Sequence, residues 1–280
     1  MSIYRFSEFL RPKFEFRVLQ KNQNENIKQK VEKNMGELNI KEIENYVNEN
    51  IITFHQRRAS VLSNLKLKKL IKKNTYLFKV KNISTANDLV SSLLEAFLSS
   101  SEEEIFGDFL EGLALFIAEK TYNGHKSSAQ GIDLEFIKNN THYLVSIKSS
   151  TNWGNSSQQK KLASDLNIAV SRLKQNHPDS LIQPVLGICY GKTKTSFIRG
   201  YKKIVGQNFW YLISGNVDLY KEIIEPIGYK AKEHNDAFNN EKSKIINRFT
   251  KLFIDEFCHP SGEINWQKLV EFNCGNLDIK

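Results

Sequence analysis

Strict alternation of apolar and acidic residues just before the middle of the chain most constrains how this sequence can fold. Residues 132–136 read Ile-Asp-Leu-Glu-Phe, so a strand here places Asp133 and Glu135 on one face and the apolar side chains on the other. Residues 138–141 read Lys-Asn-Asn-Thr and predict a tight turn, because Asn tolerates positive φ. Together they predict the first half of an antiparallel hairpin.

The return strand is predicted over residues 143–149, which read Tyr-Leu-Val-Ser-Ile-Lys-Ser and combine β-prone bulk with polar positions. Ser146 and Lys148 share one face of that strand because they are two residues apart. A lysine among apolar strand neighbours commonly carries its amine out to solvent, and alternation alone leaves that interpretation open. In the hairpin, four polar side chains can converge: Asp133, Glu135, Ser146 and Lys148.

The balance of charge indicates a polyanionic partner. The 280 residues include 40 Lys and Arg against 31 Asp and Glu, which gives a net charge of +9 and a pI near 9.2. Nucleic acid is therefore the first candidate partner, and an anionic membrane surface is the second. No apolar run approaches the roughly 20 residues that span a bilayer, and the first residues lack the order of a signal peptide. The sequence thus predicts a cytoplasmic protein, and because nucleic acid is the preferred partner, no membrane is expected.

The cysteines do not suggest a structural framework. Cys189, Cys258 and Cys274 are odd in number, far apart and without CxxC spacing, which argues against disulfides and against a zinc site. The sequence Cys258-His259 followed by Cys274 is a weak metal pattern. Cys189 fits a small buried strand residue better.

A dense cluster of lysines follows a first segment of about 60 residues that has helical character. Residues 66–81 contain seven lysines, with apolar residues between them. One interpretation is a solvated amphipathic helix. The other is a helix and a strand that contact DNA phosphates, because lysines suit contacts that do not depend on sequence. The candidates for such contacts are Lys68, Lys69, Lys72 and Lys73.

Two core helices are predicted between this cluster and the hairpin. The first begins near residue 85, the serines at 99–101 break it, and the second runs to about residue 120 with acids in its first turn. Glu111 of the second helix is flanked by Gly107 and Gly112, which are easiest to explain where something packs closely. Glu111 is therefore a candidate site residue, with an exposed helix glutamate as the alternative.

Polar residues dominate the segment after the hairpin. Trp153, Asn155 and Gln158 either form an ordinary N-capping loop or offer stacking and amide groups to DNA. A helix is predicted over residues 162–173 and a buried strand over 181–190. A basic helical connection, in which Arg199, Lys202 and Lys203 could contact phosphate, then leads to a predicted strand at 209–213.

The order of these elements predicts an α/β (α+β) fold, with a mixed β-sheet core flanked by helices. Residues 235–257 predict a long amphipathic helix, and a short terminal helix follows around Trp266. Three regions result. A mainly helical, basic region at 1–83 serves DNA contact or dimerisation, a core occupies 84–215, and a helical extension packs on that core at 216–280.

A strand–turn–strand unit with an acid on the first strand and x-Lys on the second resembles the catalytic hairpin of the PD-(D/E)XK nucleases. From about residue 75 to its end, the chain is similar to type II restriction endonucleases of this superfamily, in particular those that cut RGGNCCY. Ser146 stands where the superfamily usually has its second acid, and the RGGNCCY-cutting family also departs there. The landmarks that carry the resemblance are Asp133, Ser146-Ile147-Lys148, Val185 to Gly191, Gly206 to Trp210 and Trp266 to Leu269.

This resemblance implies a restriction-endonuclease-like core and Mg²⁺-dependent hydrolysis of double-stranded DNA by a homodimer, with a cognate DNA methyltransferase as companion. It implies that Asp133 and the backbone carbonyl of Ile147 hold Mg²⁺, while Lys148 orients the attacking water. Ser146 binds the metal through a water. In many nucleases of the superfamily a helix before the hairpin contributes a carboxylate, so Glu111 could supply the missing charge. Glu135 is the alternative, because it lies two residues from Asp133 on the same face.

Two other functions stay open from the sequence. A different PD-(D/E)XK nuclease, in DNA repair or RNA processing, would share the hairpin and the basic surface. A non-catalytic DNA-binding module is the other alternative, because serine is a poorer ligand for a hard cation than a carboxylate.

Overall fold

The structure is a computed structural model that describes residues 39–279. The helical character predicted for residues 1–38 lies outside this range. The described residues form ten helices and six strands. The helices are α1 (Ile40–Ser63), α2 (Leu67–Leu70), α3 (Thr75–Val80), α4 (Ala86–Tyr122), α5 (Ser156–Asn176), α6 (Gln207–Ser214), α7 (Leu219–Glu222), α8 (Ile224–Ile227), α9 (Ala231–Phe257) and α10 (Trp266–Cys274). The strands are β1 (His125–Lys126), β2 (Leu134–Lys138), β3 (Thr141–Ser150), β4 (Leu181–Tyr190), β5 (Ser196–Ile198) and β6 (Tyr201–Val205).

The six strands form one mixed sheet in the order β1-β2-β3-β4-β6-β5. The central strands β3, β4 and β6 are parallel, while β1, β2 and β5 pair antiparallel at the two sides. The carboxyl ends of the parallel strands therefore meet at one edge of the sheet, the place where open α/β sheets put their functional groups. We call this edge the catalytic edge, and it carries Lys148 at the end of β3.

The predicted hairpin is confirmed. Strands β2 and β3 are joined by a two-residue turn at Asn139 and Asn140, whose φ values are 48° and 61°. This is the positive-φ geometry that a two-residue hairpin requires and that Asn tolerates. The alternation is confirmed within β2, because Leu134 and Phe136 are buried in one core and Glu135 faces the other way. The prediction that Ile132 shares their face is wrong, since Ile132 precedes the strand and packs in the core on the opposite face of the sheet.

Helices cover both faces of the sheet, which confirms the predicted mixed α/β class. On one face, Val145, Ile147 and Val185 pack against α1, the second half of α4 and α6. On the other face, Leu144, Leu186 and neighbouring residues pack against α5. We call the sheet with these helices the sheet half of the molecule.

A second core contains no strand residues. It consists of buried side chains from the end of α1, α2, α3, the first half of α4, α9 and α10. We call this the helical half. Because α4 contributes to both cores, it is the structural link between the two halves.

The predicted break of the core helix at residues 99–101 is wrong, since α4 runs without interruption for 37 residues. The three serines lie on the less buried side of the helix, and Ser100 Oγ donates to the carbonyl of Ala96 at 3.1 Å. The buried stripe continues from Leu98 to Ile105 across them. Tertiary packing along this stripe therefore overrides the local preference of serine for caps and turns.

The predicted strand at residues 209–213 is also wrong, because these residues lie in helix α6. A five-residue apolar run satisfies the burial pattern of a strand and of a short helix alike. The decisive residue is Gly206, whose φ of 58° and ψ of −125° turn the chain into the helix. A Cβ there would lie 2.3 Å from the carbonyl oxygen of Gly191, so only glycine permits this turn.

The connection before α6 was predicted to be helical, and that prediction is wrong too. Residues 196–205 form the antiparallel pair β5 and β6, with Arg199 and Gly200 in the turn at φ values of 48° and 86°. Within residues 66–81 the structure has the short helices α2 and α3, so the strand expected there is absent.

The remaining predictions of secondary structure are confirmed. The strand at 181–190 is β4, the helix at 162–173 lies within α5, and α9 and α10 contain the two predicted C-terminal helices. Within residues 39–279, no helix combines the length and the apolar character needed to cross a membrane.

Candidate active site

Asp133 lies immediately before β2, where the hairpin holds it firmly. Its backbone N–H donates to the carbonyl of Val145 at 2.9 Å. Its Oδ2 accepts from the backbone N–H of Ile147 at 2.6 Å and from Ser146 Oγ at 3.3 Å. Ser146 is buried, so its hydroxyl acts as a fixed support for the carboxylate. The side chain of Asp133 is 21% exposed and therefore remains open to a ligand.

The ammonium group of Lys148 sits between two oxygens at the catalytic edge. Its Nζ donates to the backbone carbonyl of Ile147 at 2.7 Å and lies 3.8 Å from Asp133 Oδ2. The same Nζ lies 5.9 Å from the centre of the Trp153 ring. The lysine is thus directed into the site, and the solvent-facing alternative does not describe it.

Glu111 reaches the same place from helix α4. Its Oε1 lies 3.6 Å from Nζ of Lys126 in β1. Burial raises the pKa of Glu111, the charge of Asp133 raises it further, and the ammonium groups of Lys126 and Lys148 oppose the shift. The charges of Asp133, Lys126 and Lys148 therefore all act on the carboxylate of Glu111, although only Lys126 contacts it directly. Glu111 is half-buried there, unlike an ordinary exposed helix glutamate.

The glycines beside Glu111 have structural neighbours of their own. A Cβ on Gly112 would lie 2.9 Å from the hydroxyl of Tyr46, so this glycine permits the close approach of α1. A Cβ on Gly107 would lie 3.8 Å from the side chain of Ser149 in β3, which is an ordinary contact. The prediction of close packing beside Glu111 is therefore confirmed at Gly112 and not at Gly107.

The thiol of Cys189 lies beneath this cluster. It is buried in β4, and burial followed by the charge of Glu111 raises its pKa above the ordinary value. The thiol therefore stays neutral, and the sheet offers an apolar wall behind Glu111 and Lys148.

Glu135 shares a face with Asp133 but is engaged elsewhere. Its two carboxylate oxygens contact His142 Nε2 at 3.1 Å and Ser127 Oγ at 2.5 Å. The idea that Glu135 supplies the second charge stays a prediction, and Glu111 is the carboxylate whose pKa responds to Asp133.

Sequence reasoning missed three residues that shape the site. Lys126 pairs with Glu111, while Ser127 and His142 bind the two carboxylate oxygens of Glu135. Strand β1 has only two residues, so no periodicity in the sequence could identify it.

The donor set of the cluster suits a hard cation. Within residues 39–279 there is no group of three or more His, Cys, Asp and Glu side chains that could hold a metal, which includes the weak pattern around Cys258 and Cys274. The oxygens that do lie close together are the carboxylate of Asp133 and the carbonyl of Ile147, and oxygen ligands are those that Mg²⁺ prefers. Both oxygens contact Lys148 Nζ, so a positively charged group reaches them.

The residues predicted to contact DNA fall into distinct environments. Asn155 caps α5, and it forms a capping box with Gln158 through hydrogen bonds of 3.1 and 2.8 Å. Trp153 is half-buried beside Lys148, and Arg199 is exposed in the β5–β6 turn. Their contacts with DNA stay predictions. The four lysines that were predicted to contact phosphate lie on or beside α2: Lys68, Lys69, Lys72 and Lys73. The first three are exposed, and Lys73 is half-buried.

Comparison with known proteins adds a family to this geometry. The family model of the type II restriction endonuclease EcoO109I matches residues 41–235, which is more than half of the chain. That range contains the hairpin, α4 and the whole sheet. No curated protein matches the chain.

Proposed function

Because the chain belongs to the type II restriction endonuclease EcoO109I family and is a site-specific deoxyribonuclease, we propose that Asp133, Lys148 and Glu111 form its catalytic centre. The observation that carries this proposal is the position of Lys148 Nζ, 2.7 Å from the carbonyl of Ile147 and 3.8 Å from Asp133 Oδ2. The family implies double-stranded DNA as the substrate.

Asp133 and the carbonyl of Ile147 would hold Mg²⁺, and Glu111 would add the second negative charge. Bound there, the metal would polarise the scissile phosphate and offset the charge that develops in the transition state. The family makes a divalent metal the expected cofactor, and the oxygen donors at the catalytic edge support Mg²⁺ in particular.

Lys148 would act on the attacking water. With a cation bound to the Ile147 carbonyl, the ammonium of Lys148 would be free to donate to a water beside the scissile phosphate and would hold that water for attack. Burial of Cys189 and the sheet behind the site limit the number of other donors that reach this water. Ser146 supports the reaction by fixing the Asp133 carboxylate through its hydroxyl.

Cleavage of both strands of a duplex needs either two catalytic centres or two successive cleavage events by one centre. We therefore propose a homodimer in which each protomer cuts one strand. A host that contains this activity would need its own sites protected, so a DNA methyltransferase of the same specificity is the proposed companion.

Digestion of plasmid and phage DNA tests this function directly. The purified chain, incubated with Mg²⁺, should yield discrete fragments whose sequenced ends share one short motif, and EDTA should abolish their formation. Unspecific degradation, or cutting confined to single strands or RNA, would contradict the proposal.

A further inference from the structure

An acid-free stretch of the chain carries five cations that the catalytic centre does not use. Between Asp179 and Asp218 there is no acidic residue. None of the five cations forms an ion pair with a carboxylate of residues 39–279. They lie in or beside the β5–β6 pair, in a segment that we call the basic hairpin (residues 190–203): Lys192, Lys194, Arg199, Lys202 and Lys203.

The basic hairpin leaves the sheet at the catalytic edge. Lys148 of β3 pairs with Ile188 of the parallel strand β4, so the chain passes Tyr190 only two residues later. At about 3.3 Å per residue, that is about 7 Å beyond the level of Lys148. Gly191 then lies against Thr151, because a Cβ at this glycine would be 2.7 Å from Thr151 Cγ2. The first part of the hairpin, with Lys192 and Lys194, is therefore a direct neighbour of the site. The β5–β6 turn extends back along the sheet, because Lys202 pairs with Val185, three residues before Ile188 in β4.

Two contacts hold the hairpin against helix α5. Arg199 Nη1 donates to Gln159 Oε1 at 3.0 Å in the first turn of the helix. Gly200 lies beside Asn167, with 3.2 Å between the amide oxygen and the position that a Cβ would take. Since α5 begins just after Trp153, the hairpin and the site share one continuous surface.

Exposure of this hairpin is unusual for a segment with aromatic residues. Residues 192–200 are all exposed, Tyr190 is 77% exposed and Phe197 is 68% exposed. Phe197 stands directly opposite Lys202 in the strand pairing. Lysines on an edge strand can serve to prevent aggregation, but Lys192 and Lys194 precede β5 and do not protect it.

We propose that the basic hairpin binds the sugar–phosphate backbone of the DNA duplex beside the scissile phosphate and positions it in the active site. This inference rests on the proposed function. The unpaired cations match phosphates, and the exposed aromatic rings match the apolar faces of the sugars. Contacts of this kind do not read the sequence, so they raise affinity for cognate and random DNA alike.

The triple variant K192Q/K194Q/K202Q of the full chain tests the inference. Its affinity for a cognate and a random duplex, measured in EDTA over a range of salt concentrations, should fall for both duplexes. The slope of log affinity against log salt should flatten by about 2 to 3, at roughly 0.9 for each lost phosphate contact. The substitution K192R/K194R/K202R should restore the slope of the wild type.

A charge-matched control removes three exposed lysines from helices α1 and α9, as K41Q/K232Q/K251Q. It should keep the slope of the wild type, because α1 and α9 pack mainly on other helices and not on β5 or β6. If the triple variant unfolds, K192Q/K194Q replaces it, since both lysines lie outside the strands.

Two results would separate the inference from the function on which it rests. An unchanged salt slope in the folded hairpin variant, with a wild type that cuts DNA, would overturn the role of the hairpin alone. The alternative result is a wild type that never cuts DNA with Mg²⁺, together with a hairpin variant whose slope of log affinity against log salt still flattens. That result would overturn the catalytic proposal and support the hairpin as a binding surface.

Discussion

The sheet half and the helical half of this molecule both carry dense positive charge, but they use it differently. In the helical half, lysines lie over aromatic rings of the fold, with Lys69 Nζ 5.3 Å from the centre of the Phe97 ring and Lys79 Nζ 5.0 Å from that of Trp266. In the sheet half, Lys148 points into a cluster of oxygens, and the basic hairpin has no acidic partner within residues 39–279.

Distance along α4 separates the two regions. Phe97, which packs with the lysines, and Glu111 of the site are 14 residues apart on the same helix. At 1.5 Å per residue, this corresponds to about 20 Å. Any DNA contact of the helical half is therefore remote from the scissile phosphate. The comparison teaches that the density of lysines in the sequence does not by itself show whether a lysine packs on an aromatic ring of the fold, lies among the oxygens of the proposed site or faces solvent.

The largest effect is expected from Asp133→Asn in the sheet half. The variant should lose cleavage by roughly 10²- to 10⁴-fold, because it removes a metal ligand worth several kcal/mol in the transition state. Its affinity for DNA should remain broadly intact. Cleavage assays and binding assays on one duplex measure both, and Asp88→Asn at the start of α4 is the matched control in the helical half. Substantial Mg²⁺-dependent cutting by Asp133→Asn would contradict the assignment of Asp133 to the catalytic centre.

Two positions on one helix sharpen the comparison next. Glu111→Gln should lower cleavage by about 10- to 100-fold and raise the Mg²⁺ concentration required, because the second charge is lost. Glu103→Gln, an exposed change on the same helix, should leave both unchanged. The pKa of Glu111 is raised, so this carboxylate becomes protonated at a higher pH than an ordinary glutamate does. As the pH is lowered, the wild type should therefore begin to lose activity at a higher pH than an enzyme with an unperturbed glutamate would.

If Glu111→Gln cuts like Glu103→Gln, the second charge must come from elsewhere. Glu135→Gln then decides whether the carboxylate held by His142 and Ser127 supplies it. Normal cutting by both variants would leave Asp133 with backbone and water ligands as the whole metal site.

The lysines around α2 predict a smaller effect, confined to binding. Replacing Lys68, Lys69, Lys72 and Lys73 together by Gln should flatten the slope of log affinity against log salt by up to about 3 to 4. Affinity for cognate and random DNA should weaken alike, and sequence preference should survive. An unchanged slope in a folded quadruple variant would show that these lysines face solvent and do not contact DNA.

The smallest effect concerns stability rather than DNA. His55 of α1 stacks on His234 of α9 at 4.3 Å, and burial, with the charges of His234 and Arg58, lowers the pKa of His55 to about 4. The unfolded chain takes up this proton near pH 6.5 and the folded chain only near pH 4, so stability should fall as the pH drops through that window.

Urea unfolding at pH 7 and at pH 5 measures this dependence. His55→Gln should reduce the loss of stability between the two pH values, and His177→Gln at the exposed end of α5 should not. An equal loss in His55→Gln and in the wild type would exclude His55 as its source.

Local patterns made the hairpin predictable. Alternation over residues 132–136 and two adjacent asparagines are signals that a few neighbouring residues carry, and they suffice to place Asp133 beside Lys148. Tertiary features were not accessible in the same way. The approach of Glu111 depends on how α1 and β3 pack around α4, and the start of α6 depends on a contact between Gly206 and Gly191.

The basic hairpin illustrates the same limit. Its five cations are visible in the sequence, but their place depends on the pairing of β6 with β4, a contact between residues far apart in the chain. A three-residue strand such as β5 has too few positions to show a period. The charge was therefore predictable and its position at the catalytic edge was not.

Single-turnover cleavage by Lys148→Ala and Lys69→Ala, with enzyme in excess over one duplex, tests the central claim most directly. Lys148→Ala should lose the rate of cleavage and keep the Kd for DNA, because its ammonium acts on the attacking water. Lys69→Ala should keep the rate, and any change should fall on the Kd alone. A Lys148→Ala variant that cuts at the rate of the wild type would contradict the account.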